Sequence, residues 1–410
     1  MQYSILGKTG IKVSRLGMGC MRLPFVGNDG ANGVDREAAI ELIQYAADNG
    51  INYFDTAFGY HSGQSEAILG EALEHKRNEV VYVTKQPFWE MHDSATLRRN
   101  FENTLKKLRT GYIDAYLLHR IMPPSWAAIQ QREIFRELDS LKREGLVKHV
   151  GFSYHGDFAT FKDVVAKYPW EMCKVQHNML DLTREVTQEG VRLAGEKGLG
   201  IAIMEPLRGG GLAYAPQAVQ AIYDENMTLS LSSKTGVCKE SDHYNGKCGC
   251  NLQRYQKRSP AEWAFRYLAD MPEISVIVSG MSNMEQLKQN IAMFSQADMV
   301  PNSLTDAEKR TLLSARDAYN SIVTIPCTTC NYCIPCPAGV QIPNIFGQYN
   351  DAHRFGHYDQ PRRGYWFAKN NKGDFSQCTG CQLCIEKCPQ EINIVEELQT
   401  AHDFLDGWKE

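Results

Sequence analysis

The sequence INYFDTAFGYHSGQSEAILG, residues 51–70, contains the repeating unit from which this chain is built. A short apolar run ends at Asp55, a loop containing Tyr60 follows, and a helical pattern begins at Ser65. In β/α proteins the catalytic groups lie at the carboxyl ends of strands and in the loops after them. The stretch therefore predicts a strand, a loop and a helix, with Asp55 and Tyr60 as candidate site residues. At this point a loop-capping Asp and a surface Tyr are the alternative.

The same alternation continues on both sides of this stretch. Before it, a hairpin with turns at Gly7 and Gly10 leads into a first buried strand and a helix. After it, six further apolar runs alternate with helical patterns and end at Lys85, His119, Ser153, Gln176, Met204 and Val278. About eight β/α units in succession favour a closed (β/α)8 TIM barrel. A doubly wound open sheet is the alternative, but no G-x-G-x-x-G motif follows the first strand.

The composition of the 410 residues argues against several classes of protein. The chain is 43% hydrophobic and 22% charged, as in soluble globular proteins, and its net charge of −4 argues against a general nucleic-acid binder. The first residues contain no apolar run of signal-peptide length, and no stretch reaches the roughly 18 apolar residues of a membrane span. We therefore expect a cytoplasmic protein without nucleic-acid or membrane partners.

One connection is too long for this pattern. The segment 215–259 is polar and rich in glycine, and it contains Cys238, His243, Cys248 and Cys250. Connections of this length within a compact domain are uncommon and often functional. We interpret the segment as an insertion on the active-site face. A metal site is the alternative, although a Cys-x-Cys pair with one distant cysteine is a weak ligand pattern.

Eight of the thirteen cysteines lie beyond Pro326. They form two runs, Cys327-x2-Cys330-x2-Cys333-x2-Cys336-Pro and Cys378-x2-Cys381-x2-Cys384-x3-Cys388-Pro. Three thiolates at this spacing bind one [4Fe–4S] cluster, and the fourth, followed by proline, binds the other cluster in two-cluster ferredoxins. We therefore predict two clusters, one held by Cys327, Cys330, Cys333 and Cys388, and the other by Cys378, Cys381, Cys384 and Cys336. A zinc ribbon is the alternative, and the short last spacing of the first run weakens the assignment of Cys336.

The composition also changes where these runs begin. A last helical pattern ends near residue 320, and the sequence after it is rich in Cys, Pro, Tyr and Gly. We predict a barrel of residues 1–320, followed by a small ferredoxin-like iron–sulfur domain of residues 321–410 that closes with a helix.

Asp55, Tyr60, Lys85 and His119 lie within or beside FDTAFGY, VYVTKQ and DAYLLHR at successive strand ends. With these motifs, residues 1–320 resemble the aldo-keto reductase superfamily, and the tail resembles the ferredoxin-type extension of one of its branches. The resemblance implies a TIM barrel, a nicotinamide cofactor across its mouth, and reduction of a small-molecule carbonyl substrate. Tyr60 would be the general acid, with its pKa lowered by Lys85. Asp55 would hold Lys85, and His119 would orient the carbonyl oxygen.

The resemblance also indicates the cofactor site. Ser153 and Gln176 match positions that bind the nicotinamide carboxamide, and Met204 replaces the aromatic ring that relatives often stack on the nicotinamide. The remaining candidates occupy the region where relatives hold a 2′-phosphate with Lys and Arg: Ser279, Gly280, Ser282 and Gln286. None of these side chains is charged, so we expect NAD rather than NADP.

The source of electrons stays open at this point. Hydride transfer moves two electrons together, whereas a [4Fe–4S] cluster moves one, and no flavin motif is visible to couple them. In the first interpretation, the barrel uses NAD(P)H and the clusters are accessory. In the second, the clusters feed single electrons to a substrate in a barrel whose nicotinamide site is degenerate. In the third, the protein is an electron-transfer module that docks a partner oxidoreductase, against which the four strand-end residues argue.

Overall fold

The computed structural model describes residues 1–26, 33–87, 90, 93–131, 133–182, 184–234, 258–327 and 329–407. The chain forms two compact units, one of Met1–Pro206 with Phe265–Leu304 and one of Leu207–Ala264 with Thr305–Glu410. The predicted division into residues 1–320 and 321–410 stays a prediction. Within the described residues, no helix combines the length and the apolar character needed to cross a bilayer.

Eight parallel strands close into a barrel, which confirms the predicted fold class and excludes the open sheet. A hairpin of β1 (Tyr3–Ile5) and β2 (Lys12–Ser14) precedes them and pairs antiparallel, as predicted. The barrel strands are β3 (Leu16–Gly19), β4 (Tyr53–Asp55), β5 (Val81–Pro87), β6 (Ile113–Ile121), β7 (Val147–Tyr154), β8 (Met172–Gln176), β9 (Gly200–Met204) and β10 (Ile274–Ser279). They follow one another in sequence around the barrel, and β10 pairs with both β9 and β3. All eight carboxyl ends therefore lie at one end of the barrel.

The helical patterns between the strands are helices in the structure. Those from the first strand to residue 321 are α1 (Arg36–Asp48), α2 (Ser65–Leu73), α3 (Ser94–Lys107), α4 (Pro123–Gln130), α5 (Ile134–Arg143), α6 (Phe158–Lys167), α7 (Thr187–Glu196), α8 (Gln217–Lys234), α9 (Pro260–Ala269), α10 (Met284–Phe294) and α11 (Asp306–Ser321). Short polar side chains fix several starts, since Asp35, Asp93 and Asp157 each accept a backbone N–H at 2.7–3.0 Å.

The inside of the barrel changes from apolar to polar along the strands. Side chains of a strand alternate between its faces, so every second residue points inward. Toward the amino ends the inward residues are apolar and fully buried, and they include Tyr53, Val83, Leu117 and Met172. Two residues further along the same four strands are Asp55, Lys85, His119 and Lys174. A layer of polar side chains therefore lies directly above a layer of packed apolar side chains inside the barrel.

The cysteine-rich tail packs on helices. They are α12 (Ile342–Phe355), α13 (Asp359–Asn370), α14 (Leu383–Glu386) and α15 (Ile394–Leu405), of which the last is the predicted closing helix. Buried residues such as Ile345, Phe346 and Leu398 form a core against which six of the cysteines pack. Asn350 secures the segment before the first cysteine, because its side chain exchanges hydrogen bonds of 2.9 and 2.8 Å with the backbone of Ile325.

The long connection predicted between residues 215 and 259 contains α8. Residues 235–257 lie outside the described residues, and with them lie Cys238, His243, Cys248 and Cys250. The interpretation of this segment as an insertion on the active-site face, or as a metal site, therefore stays a prediction.

Candidate active site and cluster sites

Asp55 and Lys85 form a buried ion pair on the neighbouring strands β4 and β5. Lys85 Nζ lies 2.8 Å from Asp55 Oδ1, and it also donates to the backbone carbonyl of Thr56. The two side chains are 2% and 1% exposed, so little water screens their charges. The structure thus brings together two of the four residues predicted to be catalytic.

Tyr60 begins the turn Tyr60–Gly63 that follows β4. Its ring centroid lies 4.7 Å from Lys85 Nζ and 5.8 Å from the centroid of His119, whose ring meets it edge to face. The loop before the turn is tied to β5, because Phe58 N–H donates to the carbonyl of Lys85 at 3.1 Å. The four predicted catalytic residues therefore converge at the carboxyl end of the barrel.

His119 lies in β6 beside a local irregularity of the sheet. The register between β6 and β7 shifts between Leu118 and Ile121, and Arg120 adopts a left-handed φ of 59°. Such irregularities redirect neighbouring side chains and are frequent next to active sites. Burial, Lys85 and Lys174 lower the pKa of His119 to about 2. The imidazole is therefore neutral at physiological pH and can donate an N–H without carrying a positive charge.

Lys174 is a fifth member of this group that the sequence analysis missed. It lies on β8, is 5% exposed at its side chain, and places Nζ 2.5 Å from Asp55 Oδ1. One carboxylate oxygen thus accepts from two ammonium groups, those of Lys85 and Lys174, while Asp55 Oδ2 has no partner among the described residues. The sequence did carry a signal, because Lys174 interrupts an apolar strand two residues before Gln176 and therefore shares its face.

The electrostatics of the site follow from these contacts. Burial alone would raise the pKa of Asp55, but Lys174 and Lys85 outweigh it and hold that pKa below its ordinary value. The expectation that Lys85 lowers the pKa of Tyr60 is wrong: burial raises that pKa, and the largest influence in the opposite direction is Lys174. At neutral pH the site therefore contains an ionised carboxylate and a protonated phenol.

Three of the predicted cofactor residues lie near the carboxyl ends of the neighbouring strands β7, β8 and β9. Ser153 pairs in register with Lys174 across β7 and β8, and Gln176 pairs with Met204 across β8 and β9. Asp181 accepts a hydrogen bond from Gln176 Nε2 at 3.1 Å, which fixes the amide. These residues therefore lie at the carboxyl ends of β7, β8 and β9, beside Lys174.

The other cofactor candidates form the turn after β10. Ser279 is buried and accepts from the side chain of Asn290 at 3.2 Å, while Gln286 Oε1 accepts from Ser282 N–H at 2.9 Å. Gly280 lies against the side chain of Arg22, because a Cβ at this glycine would come within 3.2 Å of it. The aliphatic part of the Arg22 side chain, from the segment after β3, thus packs against a turn that contains no charged residue.

The eight cysteines of the tail surround two cavities. One is lined by Cys327, Cys330, Cys333 and Cys388. The other is lined by Cys336, Cys378, Cys381 and Cys384, and Cys333 also reaches its wall. Each cavity therefore combines three cysteines of one run with the last cysteine of the other, which is the crossed arrangement expected for two-cluster ferredoxins.

Burial favours the protonated form of some of these thiols. Burial and the neighbouring Cys327 raise the pKa of Cys333 to about 11, and burial also raises the pKa of Cys384. Such thiols stay protonated unless a metal takes the place of the proton. Cavities lined by several of them suit iron–sulfur clusters, whose iron binds thiolate sulfur.

Two family models match the chain. The model of the Aldo/keto reductase family matches residues 15–306, and that of the 4Fe-4S dicluster domain matches residues 326–394. The first match covers the barrel strands and the four converging residues, and the second covers both cysteine runs. The zinc alternative is thereby set aside in favour of iron–sulfur clusters.

Similar proteins agree with these matches. The Uncharacterized oxidoreductase YrpG of Bacillus subtilis (strain 168) is 29% identical over 324 residues, covering 71% of this chain and 90% of the relative. The NADH-specific methylglyoxal reductase of Escherichia coli (strain K12) is 27% identical over 313 residues, covering 70% and 91%. Among solved structures, the holo form of aldo-keto reductase AKR11C1 from Bacillus halodurans matches with a TM-score of 0.58 and 23% identity, covering 77% of this chain and 96% of that one. This last likeness shows the barrel fold.

Proposed function

The chain belongs to the aldo/keto reductase family and is an oxidoreductase with a 4Fe-4S domain, and we propose that it reduces a small carbonyl compound at its barrel mouth. In this proposal Tyr60 donates the proton and NADH or NADPH is the reductant. The observation that carries it is the convergence of Tyr60, Lys85 and His119 around a buried carboxylate, with ring and ammonium contacts of 4.7–5.8 Å.

Tyr60 supplies the proton that the product needs. A carbonyl carbon that accepts a hydride leaves an alkoxide oxygen, which must be protonated. Because burial raises its pKa, Tyr60 carries that proton at neutral pH. The nearby ammonium groups of Lys85 and Lys174 stabilise the phenolate that remains, and Asp55 keeps both lysines in place.

His119 orients the substrate oxygen. Its imidazole is neutral, since its pKa lies at about 2, and it therefore donates a hydrogen bond without competing for the proton of Tyr60. The edge-to-face contact with the Tyr60 ring supports a position for that oxygen between the two side chains. An oxygen held between two donors is stabilised as negative charge develops on it.

The cofactor residues fit a nicotinamide. When bound, a nicotinamide supplies the hydride. Ser153 and Gln176 would bind its carboxamide, Met204 would pack on its ring, and the turn Ser279–Ser282 would hold its phosphates with Gln286 as the brace of that turn. The absence of a charged clamp in this turn favours NAD, whereas Arg22 beside Gly280 offers one guanidinium to a phosphate.

The tail holds two [4Fe–4S] clusters in this proposal. Their ligands are the two crossed sets of four cysteines that line the cavities. They act as accessory or redox centres, and a partner electron carrier would exchange single electrons with them. Because the barrel retains a complete proton-donating group, we place reduction of the substrate there and not in a partner oxidoreductase.

Turnover by anaerobically purified protein tests the proposal. Methylglyoxal and 4-nitrobenzaldehyde are offered with NADH or NADPH, and nucleotide oxidation is followed by absorbance. Tyr60→Phe should lower kcat by about 100-fold or more, whereas Tyr168→Phe, a surface control that removes the same hydroxyl, should not. If neither nucleotide supports turnover but reduced methyl viologen does, the clusters feed the substrate and the nicotinamide part fails. Full activity in Tyr60→Phe would contradict both routes.

A further inference from the structure

Lys174 is difficult to explain as a structural residue. Asp55 is already neutralised by Lys85 at 2.8 Å. Burial lowers the pKa of Lys174, and Asp55 acts against that shift and favours the ammonium form. As an ammonium, Lys174 leaves one positive charge in excess inside the barrel. Burying an ammonium is unfavourable unless its partners compensate the lost hydration. The layer directly below contains Met172 and Ala202, which shows that β8 and β9 pack well with apolar residues. Stability alone therefore does not account for a lysine here.

The excess charge lies next to the proton donor. Asp55 Oδ1 accepts hydrogen bonds from both ammonium groups. The centroid of the Tyr60 ring lies 4.7 Å from Lys85 Nζ. The other titratable groups around the phenol are Asp55, Lys85, His119, Lys174, Cys20 and Glu205. Of these, Asp55, Cys20 and Glu205 disfavour a phenolate, and Lys174 favours it most.

We propose that Lys174 is a positioning residue of the active site, a second ammonium that shares Asp55 with Lys85 and stabilises the phenolate of Tyr60 after proton transfer. The inference rests on the proposed function of Tyr60 as proton donor. A site with a neutral Asp–Lys pair would leave that phenolate without a compensating charge. Here the extra ammonium supplies it, from a side chain that is 5% exposed.

The test measures the pKa of the phenol at position 60 and does not require turnover. Tyr60 is replaced by 3,5-difluorotyrosine, whose phenol is more acidic than that of tyrosine, and its titration is followed by 19F NMR. Lys174→Met should raise the pKa of the fluorinated phenol by about one unit or more, because a nearby opposite charge shifts a pKa by about 1–3 units. Lys174→Gln, which keeps a polar group, should raise it as well. Lys142→Met removes an equal charge from the salt bridge with Glu171 and should leave the pKa unchanged.

The outcomes separate this inference from the proposed function. An unchanged pKa in both Lys174 variants, with iron content and circular dichroism preserved, overturns the role of Lys174 even if carbonyl compounds are reduced. A raised pKa without any carbonyl reduction supports the role of Lys174 and removes the proposed reaction. If reduction does occur, Lys174→Met should lower kcat more than it raises KM, because the ammonium acts on the proton donor and not on substrate binding.

Discussion

Crossed ligation predicts how pairs of cysteine substitutions combine. Cys388 lines the same cavity as Cys330, although in sequence it belongs to the run of Cys381. Two [4Fe–4S] clusters contain about eight iron atoms, and loss of one ligand should remove about four of them. Cys388→Ala combined with Cys330→Ala should still leave about four, because both changes affect one cluster. Cys388→Ala combined with Cys381→Ala should leave about none.

Iron and acid-labile sulfide measured on anaerobically purified protein provide the assay, and electron paramagnetic resonance of the dithionite-reduced protein shows which cluster remains. The control is Cys173→Ala, which removes a fully buried cysteine of β8 and should keep all the iron. Ligation within each run would reverse the result, so that Cys388→Ala with Cys381→Ala retained half of the iron while Cys388→Ala with Cys330→Ala lost it all. That pattern would refute the crossed arrangement.

Three further predictions concern the barrel. Asp55→Asn should lower the free energy of unfolding, measured in urea, by about 3–5 kcal/mol, since it removes the charged partner of two buried ammonium groups. Because the pKa of Asp55 is lowered in the folded protein, this difference from wild type should persist above pH ~4 and shrink on further acidification. The pH profile of kcat/KM should show no inflection from His119 between about pH 5 and 8, as its pKa lies at about 2, and an inflection that His119→Asn abolishes would contradict this. Arg22→Met should weaken NADPH binding about tenfold by calorimetry and NADH binding less, whereas equal effects would place Arg22 away from the 2′-phosphate.

The sequence was sufficient for the architecture and for the four converging residues because both depend on local patterns. Alternating strands and helices predict the barrel, and strand ends in a barrel converge wherever they occur in the chain. The pattern was less informative at His119. The apolar run predicted that the strand ends there, whereas β6 continues to Ile121. It does so through a shift in register with β7 that no local sequence pattern predicts.

Lys174 and Arg22 were not predicted from the sequence, for a different reason. A single lysine within CKVQ has no local partner, and its role emerges only when closure of the barrel brings β8 to Asp55. Arg22 follows β3, and it meets Gly280 because β10 closes the barrel against β3. Both depend on contacts between residues more than 100 positions apart. The alternation of side chains along β8 could still have identified Lys174, since it lies on the same face of the strand as Gln176.

Transfer of deuterium tests the central claim most directly. Protein is mixed anaerobically with methylglyoxal and with NADH that carries deuterium at both C4 positions, and the alcohol product is examined by mass spectrometry and NMR. Hydride transfer in the barrel predicts deuterium at the former carbonyl carbon, with the rate of its appearance reduced about 100-fold or more in Tyr60→Phe. An alcohol whose carbon instead acquires hydrogen from the solvent would show that electrons arrive singly, and the account of the barrel as a nicotinamide-dependent carbonyl reductase would be contradicted.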